Sequence, residues 1–205
     1  MGFGWLLMGY FSVNMIALYP PLSFMMLVGY ALMIVGLFQL SPYHSRFLTC
    51  RSLSFLSLPF AVYYTAYGLS TVQLIPAAAF FASTAAKVID WVYFGFALVF
   101  QLLLLWAIAS LAGELGVVKQ QANALRNMIL LVVYHALCLL AQLPLSIIQS
   151  NVGLLSLPIT LLRLLCIFLN IWLILQCYRS ILPEGTDVTP RLPDLLGNRL
   201  KNKEK

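Results

Sequence analysis

The side chains best suited to chemistry are few: Arg163, His135, Gln142, Asn170 and Asp90, each set in or beside a long apolar run. Arg163 is the formally charged residue deepest within such a run. A guanidinium at the bilayer centre costs about 2.5–3.5 kcal/mol on insertion scales. It therefore either snorkels outward with its stem on apolar surface, or faces a protein interior and binds an anion or a partner. Asp90 is the acidic residue expected on the same side, so an Asp90–Arg163 pair is one expectation. With helix ends taken at Asn127 and Tyr178, His135 and Asn170 each lie about 12 Å from the inner end of their helix. The same arithmetic sets Gln142 level with Arg163. Two polar rungs, His135–Asn170 and Gln142–Arg163, then join neighbouring helices and satisfy groups that lipid cannot.

Trp91 and Tyr67 complete the candidate pocket set with Arg163 and Gln142, and Tyr63 and Tyr64 lie beside Tyr67. An imidazole suits proton relay near neutrality, but no carboxylate accompanies His135, which speaks against an ion-coupled pump. The chain has no P-loop, no HExxH, no GxSxG and no paired acidic motif. Of its six acidic residues, Glu184, Asp187, Asp194 and Glu204 fall near the C-terminus. The cysteines Cys50, Cys138, Cys166 and Cys177 form no CxxC pair and read as small apolar filler. No enzyme activity, metal or cofactor is expected.

These groups must be positioned by helices in a membrane. Residues 1–45 carry no formal charge, and neither do residues 52–86 or 127–162. Hydrophobic residues make up 62% and charged residues 9%, against about 45–50% and about 25% in globular domains. The mean hydropathy is +0.94. The expected fold is all-α, a polytopic transmembrane helix bundle of about six spans. Residues 1–180 form the membrane domain, and 181–205 form a short flexible tail in the cytoplasm.

Pro20 and Pro21 divide the first run into helices over 3–18 and 22–40. The first is short for a full span and fits an interfacial position as well. Residues 41–51 read as a polar loop. Residues 52–86 would make a single helix of roughly 50 Å, too long for a core of about 30 Å. A span over 53–74 followed by a short helix from Pro76 resolves this; two short spans are the alternative. Residues 87–90 read as a charged hinge, 91–112 as a span and 114–126 as a polar loop with a short amphipathic helix. Spans over 128–148 and 154–178 follow, with a turn at 151–153. Gly29 and Gly36 share one face of the second helix, and the Ala-rich stretch 77–86 reads as a small-residue packing surface.

With the C-terminal tail inside, Arg46, Arg51, Lys119, Arg126, Arg179, Arg191, Arg199, Lys201, Lys203 and Lys205 are all cytoplasmic, and Lys87 alone is outside. That bias supports six spans with both termini inside. If 52–86 crosses twice, the bias weakens. The net charge of +6 comes without a basic patch, so nucleic-acid binding is not expected. The partners expected are the lipid bilayer and other membrane subunits, and the absence of a eukaryotic targeting signal points to a bacterial plasma membrane.

In size and span count the chain resembles the substrate-binding membrane subunits of energy-coupling-factor transporters. That likeness implies small-solute binding or transport. The first expectation remains a non-catalytic accessory or packing subunit of a membrane assembly. Arg163 and Gln142 discriminate between the two: opening onto a roomy cavity favours a solute, and facing lipid or packed side chains favours the accessory role.

Overall fold

Two successive prolines have no backbone N–H to continue a helix, and the chain turns there. In a computed structural model, which describes residues 2–74, 76, 78–142 and 152–181, α1 (Gly2–Asn14) ends ahead of two short 3-10 turns, Ile16–Leu18 and Pro20–Leu22. Helix α2 (Met25–Leu40) then runs back beside α1. Helix α3 spans Ser45–Thr71, α4 is the single turn Ala78–Phe81, α5 spans Thr84–Glu114, α6 Val118–Ala141 and α7 Val152–Ser180. The described residues form no strand.

Thr84–Glu114, Val118–Ala141 and Leu155–Ser180 are long and apolar enough to cross a membrane. They mark the chain as a helical membrane protein. Their outward side chains agree: Ile129 is 66% exposed and Leu157 64%, which suits oil and not water.

The six longer helices pack as a closed ring. Helix α1 meets α2, α2 meets α3, α3 meets α5, α5 meets α6, α6 meets α7, and α7 returns to α1. Phe3, Leu6, Met33, Leu37, Phe47, Leu104, Ile108, Leu173 and Ile174 fill its core.

Several expected boundaries move. The polar loop at 41–51 is shorter than expected, because His44 caps α3: its Nδ1 accepts from the Arg46 N–H at 3.1 Å. Pro59 and Gly68 lie inside α3, which runs unbroken to Thr71. The helix expected from Pro76 is only the one-turn α4. The Ala-rich stretch is therefore broken: Ala86 is buried, whereas Ala79, Ala82 and Ala85 are exposed.

The charged hinge at 87–90 lies inside α5. Ser83 caps that helix upstream by accepting from the Ala86 N–H at 3.3 Å, so Lys87 and Asp90 sit in its first two turns. Likewise the polar stretch 119–126 opens α6 itself. Charge moves the point where a helix meets water; it does not break the backbone ladder. Helix α5 stops at a Schellman turn: the Val117 N–H reaches the Ala112 carbonyl at 2.8 Å, and Gly116 takes φ +71, a conformation that favours glycine. The expected turn at 151–153 lies partly outside the described residues, and the tail from 182 lies wholly outside them.

Helices α1 and α2 meet through glycine. A Cβ on Gly9 would stand 2.5 Å from the Gly29 carbonyl oxygen, and one on Gly36 would stand 2.7 Å from the Gly2 oxygen. The expected shared face of Gly29 and Gly36 is thus the face that touches α1. Replacing Gly9 with Leu forces these backbones apart, at a cost of about 1–3 kcal/mol. Thermal unfolding in mild detergent is expected to show a clear drop for Gly9→Leu. Gly95→Ala, where nothing lies within 4 Å, is the control and should not lower the transition.

Candidate functional site

The residues that bring α6 and α7 together are uncharged amides and hydroxyls. Gln120 Nε2 donates to Ser180 Oγ at 3.2 Å, and Asn123 Nδ2 donates to Gln176 Oε1 at 3.5 Å. Asn127 Nδ2 donates to Asn170 Oδ1 at 3.0 Å. Asn170 Nδ2 donates onward to the Tyr10 hydroxyl at 2.9 Å, which pins α1 to the seam. Arg126 donates to Asn127 Oδ1 at 3.3 Å, so both ends of that amide are engaged. Asn127 and Asn170 are buried, 3% and 2% exposed.

This ladder corrects the two expected rungs. His135 does not face Asn170, and Gln142 does not face Arg163. Asn170 pairs with Asn127, about two turns from the position expected. The reason is the start of α6: the helix begins at Val118, so depth counted from Asn127 was short by nine residues. The antiparallel register that joins Asn127 to Asn170 carries on to bring His135 level with Arg163.

There the ring of helices encloses a cavity of about 280 Å³. Its walls include Tyr10 and Asn14 on α1, Tyr64 on α3, Asp90, Tyr93 and Gln101 on α5, Tyr134 and His135 on α6, and Arg163 and Cys166 on α7. His135 and Tyr10 are buried, while Asp90 and Arg163 are exposed, so the cavity opens at the Asp90–Arg163 end. A second, smaller pocket of about 20 Å³ shares Tyr10, Asn14, Tyr93 and Gln101 with it and is also lined by Tyr30, Met33 and Phe100.

Each wall is held. Tyr64 donates its hydroxyl proton to Asp90 Oδ1 at 2.8 Å. Tyr93 and Tyr30 share a hydroxyl–hydroxyl bond of 3.1 Å. His135 Nδ1 lies 2.9 Å from the Leu131 carbonyl oxygen. A carbonyl can only accept, so Nδ1 carries the proton and the neutral ring keeps Nε2 as an acceptor. The rings of Phe94 and Tyr134 hold that imidazole at 4.8 and 4.9 Å between centroids. At the inner end, the Tyr10 oxygen accepts from Asn170, which leaves its own proton to give.

Of the expected site residues, Arg163, Asp90 and His135 meet at this cavity. Asn170 acts one step behind it, through Tyr10. The direct Asp90–Arg163 pair is not formed: Asp90 takes the Tyr64 proton, and Arg163 has no ion-pair or hydrogen-bond partner among the described residues. Trp91 turns outward against Phe94, at 6.0 Å between rings. Tyr67 packs on Phe81 at 5.3 Å. Gln142 caps α6 and is exposed. None of these three lines the cavity.

Tyr10, Asn14, Tyr93, Gln101 and Tyr134 are lining residues that sequence reasoning missed. One signal was there to read: Asp90, Phe94, Ala97 and Gln101 recur at helical spacing and mark one face of α5. The described residues hold no group of three His, Cys, Asp or Glu suited to a metal ion.

No family model matches the chain, and neither a curated protein nor a solved structure does.

Asn170→Ala leaves the Asn127 amide and the Tyr10 hydroxyl short of a partner in a buried place. Unpaired buried groups cost about 1–3 kcal/mol. Thermal unfolding in detergent is expected to show that loss for Asn170→Ala, and a smaller one for Asn123→Ala, which sits at the half-buried end of the ladder.

Proposed function

We propose that this protein binds a small polar solute within the membrane, as the recognition element of a transport or uptake process, without performing chemistry on it. The observation that carries this reading is the cavity, on which two opposite charges that form no ion pair with each other, an imidazole acceptor and several tyrosine hydroxyls converge in an otherwise apolar bundle. Ionisable side chains on membrane helices that line a cavity commonly mark substrate or ion pathways. Its volume of about 280 Å³ falls just below the range of about 300 to 1,000 Å³ of drug-sized ligand pockets, which fits a small solute.

Six spans with both termini in the cytoplasm remain our topology, with a bacterial plasma membrane as the location. The one-sided distribution of Lys and Arg supports it. So does the single helix α3, 27 residues long and roughly 40 Å by its rise, in place of two short spans.

The accessory-subunit expectation is the competing outcome of the test. Native mass spectrometry of protein extracted in mild detergent should show one added mass of metabolite size on the wild type. Arg163→Gln, which removes one charged wall, is expected to lose most of that adduct while keeping its gel-filtration profile. A solute-free wild type that co-purifies in fixed ratio with another membrane protein would favour the accessory role instead.

A further inference from the structure

The cavity carries one positive and one negative side chain that do not neutralise each other. Asp90 and Arg163 both line it, yet the ion pairs within 4.0 Å among the described residues do not include them. Their heights explain this. Phe94 stacks near His135, and the α6–α7 register puts Arg163 at that level. Asp90 stands four residues earlier on α5, about 6 Å further along the axis.

Asp90 is also held in place. The Tyr64 hydroxyl anchors Asp90 through one oxygen at 2.8 Å, which leaves Oδ2 free. The Arg163 charge lies near the hydroxyls of Tyr93 and Tyr134, and its five donors have no partner among the described residues. A guanidinium fork suits a carboxylate bidentately. The free carboxylate oxygen suits an ammonium by charge and as a hydrogen-bond acceptor.

Resting on the solute-binding reading above, we infer that the occupant is a small zwitterion, its carboxylate on Arg163 and its ammonium on Asp90. A simple anion would leave Asp90 facing it unpaired, and a simple cation would leave Arg163 so. Each would also meet a like charge across the cavity, which opposes its binding. A zwitterion satisfies both at once and keeps the loaded cavity neutral, apart from any charge on His135, the other titratable side chain besides tyrosine and cysteine on these walls. Toward the inner end, Tyr10, Asn14 and Gln101 offer neutral polar contacts to the rest of the molecule.

The test uses the full chain in detergent, freed of co-purified solute, with calorimetric titration of a fixed panel. The panel holds glycine, β-alanine, 4-aminobutanoate and 6-aminohexanoate, the amine and the carboxylic acid matched to each, and glycerol as a neutral polar control. At least one zwitterion is expected to bind tenfold or more tightly than its two matched half-molecules. Arg163→Gln should lower its affinity to that of the matched amine. Asp90→Asn, which keeps an oxygen to accept from Tyr64, should lower it to that of the matched acid. Equal binding of a half-molecule or of glycerol overturns the zwitterion and leaves the solute-binding site standing. If no panel member binds although the extracted protein had carried a solute, the zwitterion alone is overturned. If none binds and no solute was ever carried, both readings fall.

Discussion

A buried amide in lipid has no water to turn to, so its partner must come from another helix. The seam between α6 and α7 is built on this constraint. Gln120, Asn123 and Asn127 on one helix meet Ser180, Gln176 and Asn170 on the other. Such contacts are individually modest in membranes, about 0.6 kcal/mol on average. Their collective effect is on register. A slide by one turn would take the buried Asn170 away from both Asn127 and Tyr10, so the two helices are locked at one height. That height brings His135 level with Arg163, and Tyr10 locks α1 to the same seam.

The rest of the ring is closed by different means. Helices α1 and α2 rely on glycine, where backbones touch and no side chain intervenes. Helices α3 and α5 rely on aromatic faces: Phe60 stacks on Phe96 at 5.4 Å, and Tyr64 lies 4.7 Å from Tyr93. The far end of α5 is tied down by charge and hydrogen bonding, where His44 Nε2 meets Glu114 Oε1 at 3.2 Å and Arg46 covers the Trp106 ring at 4.0 Å. Asp90 and Glu114 are 24 residues apart on that helix, roughly 36 Å. One end of the bundle is therefore cross-linked by polar contacts, and the other carries the mouth of the cavity. A bundle fixed at one end and open at the other suits a site that must admit a ligand without losing its register.

The oil-facing character of the chain was legible in the sequence, as were the break at Pro20 and Pro21, the span over 91–112 and the shared face of Gly29 and Gly36. These follow from local rules: proline lacks a donor, long uncharged runs avoid water, and glycine marks close approach. What sequence reasoning missed came from one substitution of ideas, in which the edge of an apolar run stood for the edge of a helix. Lys87 and Asp90, and likewise Lys119 and Arg126, lie within helices whose caps are upstream. That displacement put His135 opposite Asn170 and Gln142 opposite Arg163. Arg163, Asp90 and His135 were still recognisable as unusual, because charge or imidazole in oil demands an explanation whatever its register. Trp91 and Tyr67 were not separable from the other aromatics, since ring type alone does not say which way a side chain turns.

Register is also what a direct measurement can read. In a cysteine-free background, two paired replacements distinguish the observed seam from the one that hydropathy suggested: Asn123→Cys with Gln176→Cys, and His135→Cys with Asn170→Cys. Mild oxidation of intact membranes, followed by protease cleavage between α6 and α7 and denaturing electrophoresis, shows which pair forms a disulfide. The account predicts cross-linking of the first pair and none of the second. Efficient cross-linking at 135 and 170, with none at 123 and 176, would contradict it and take the cavity apart with it.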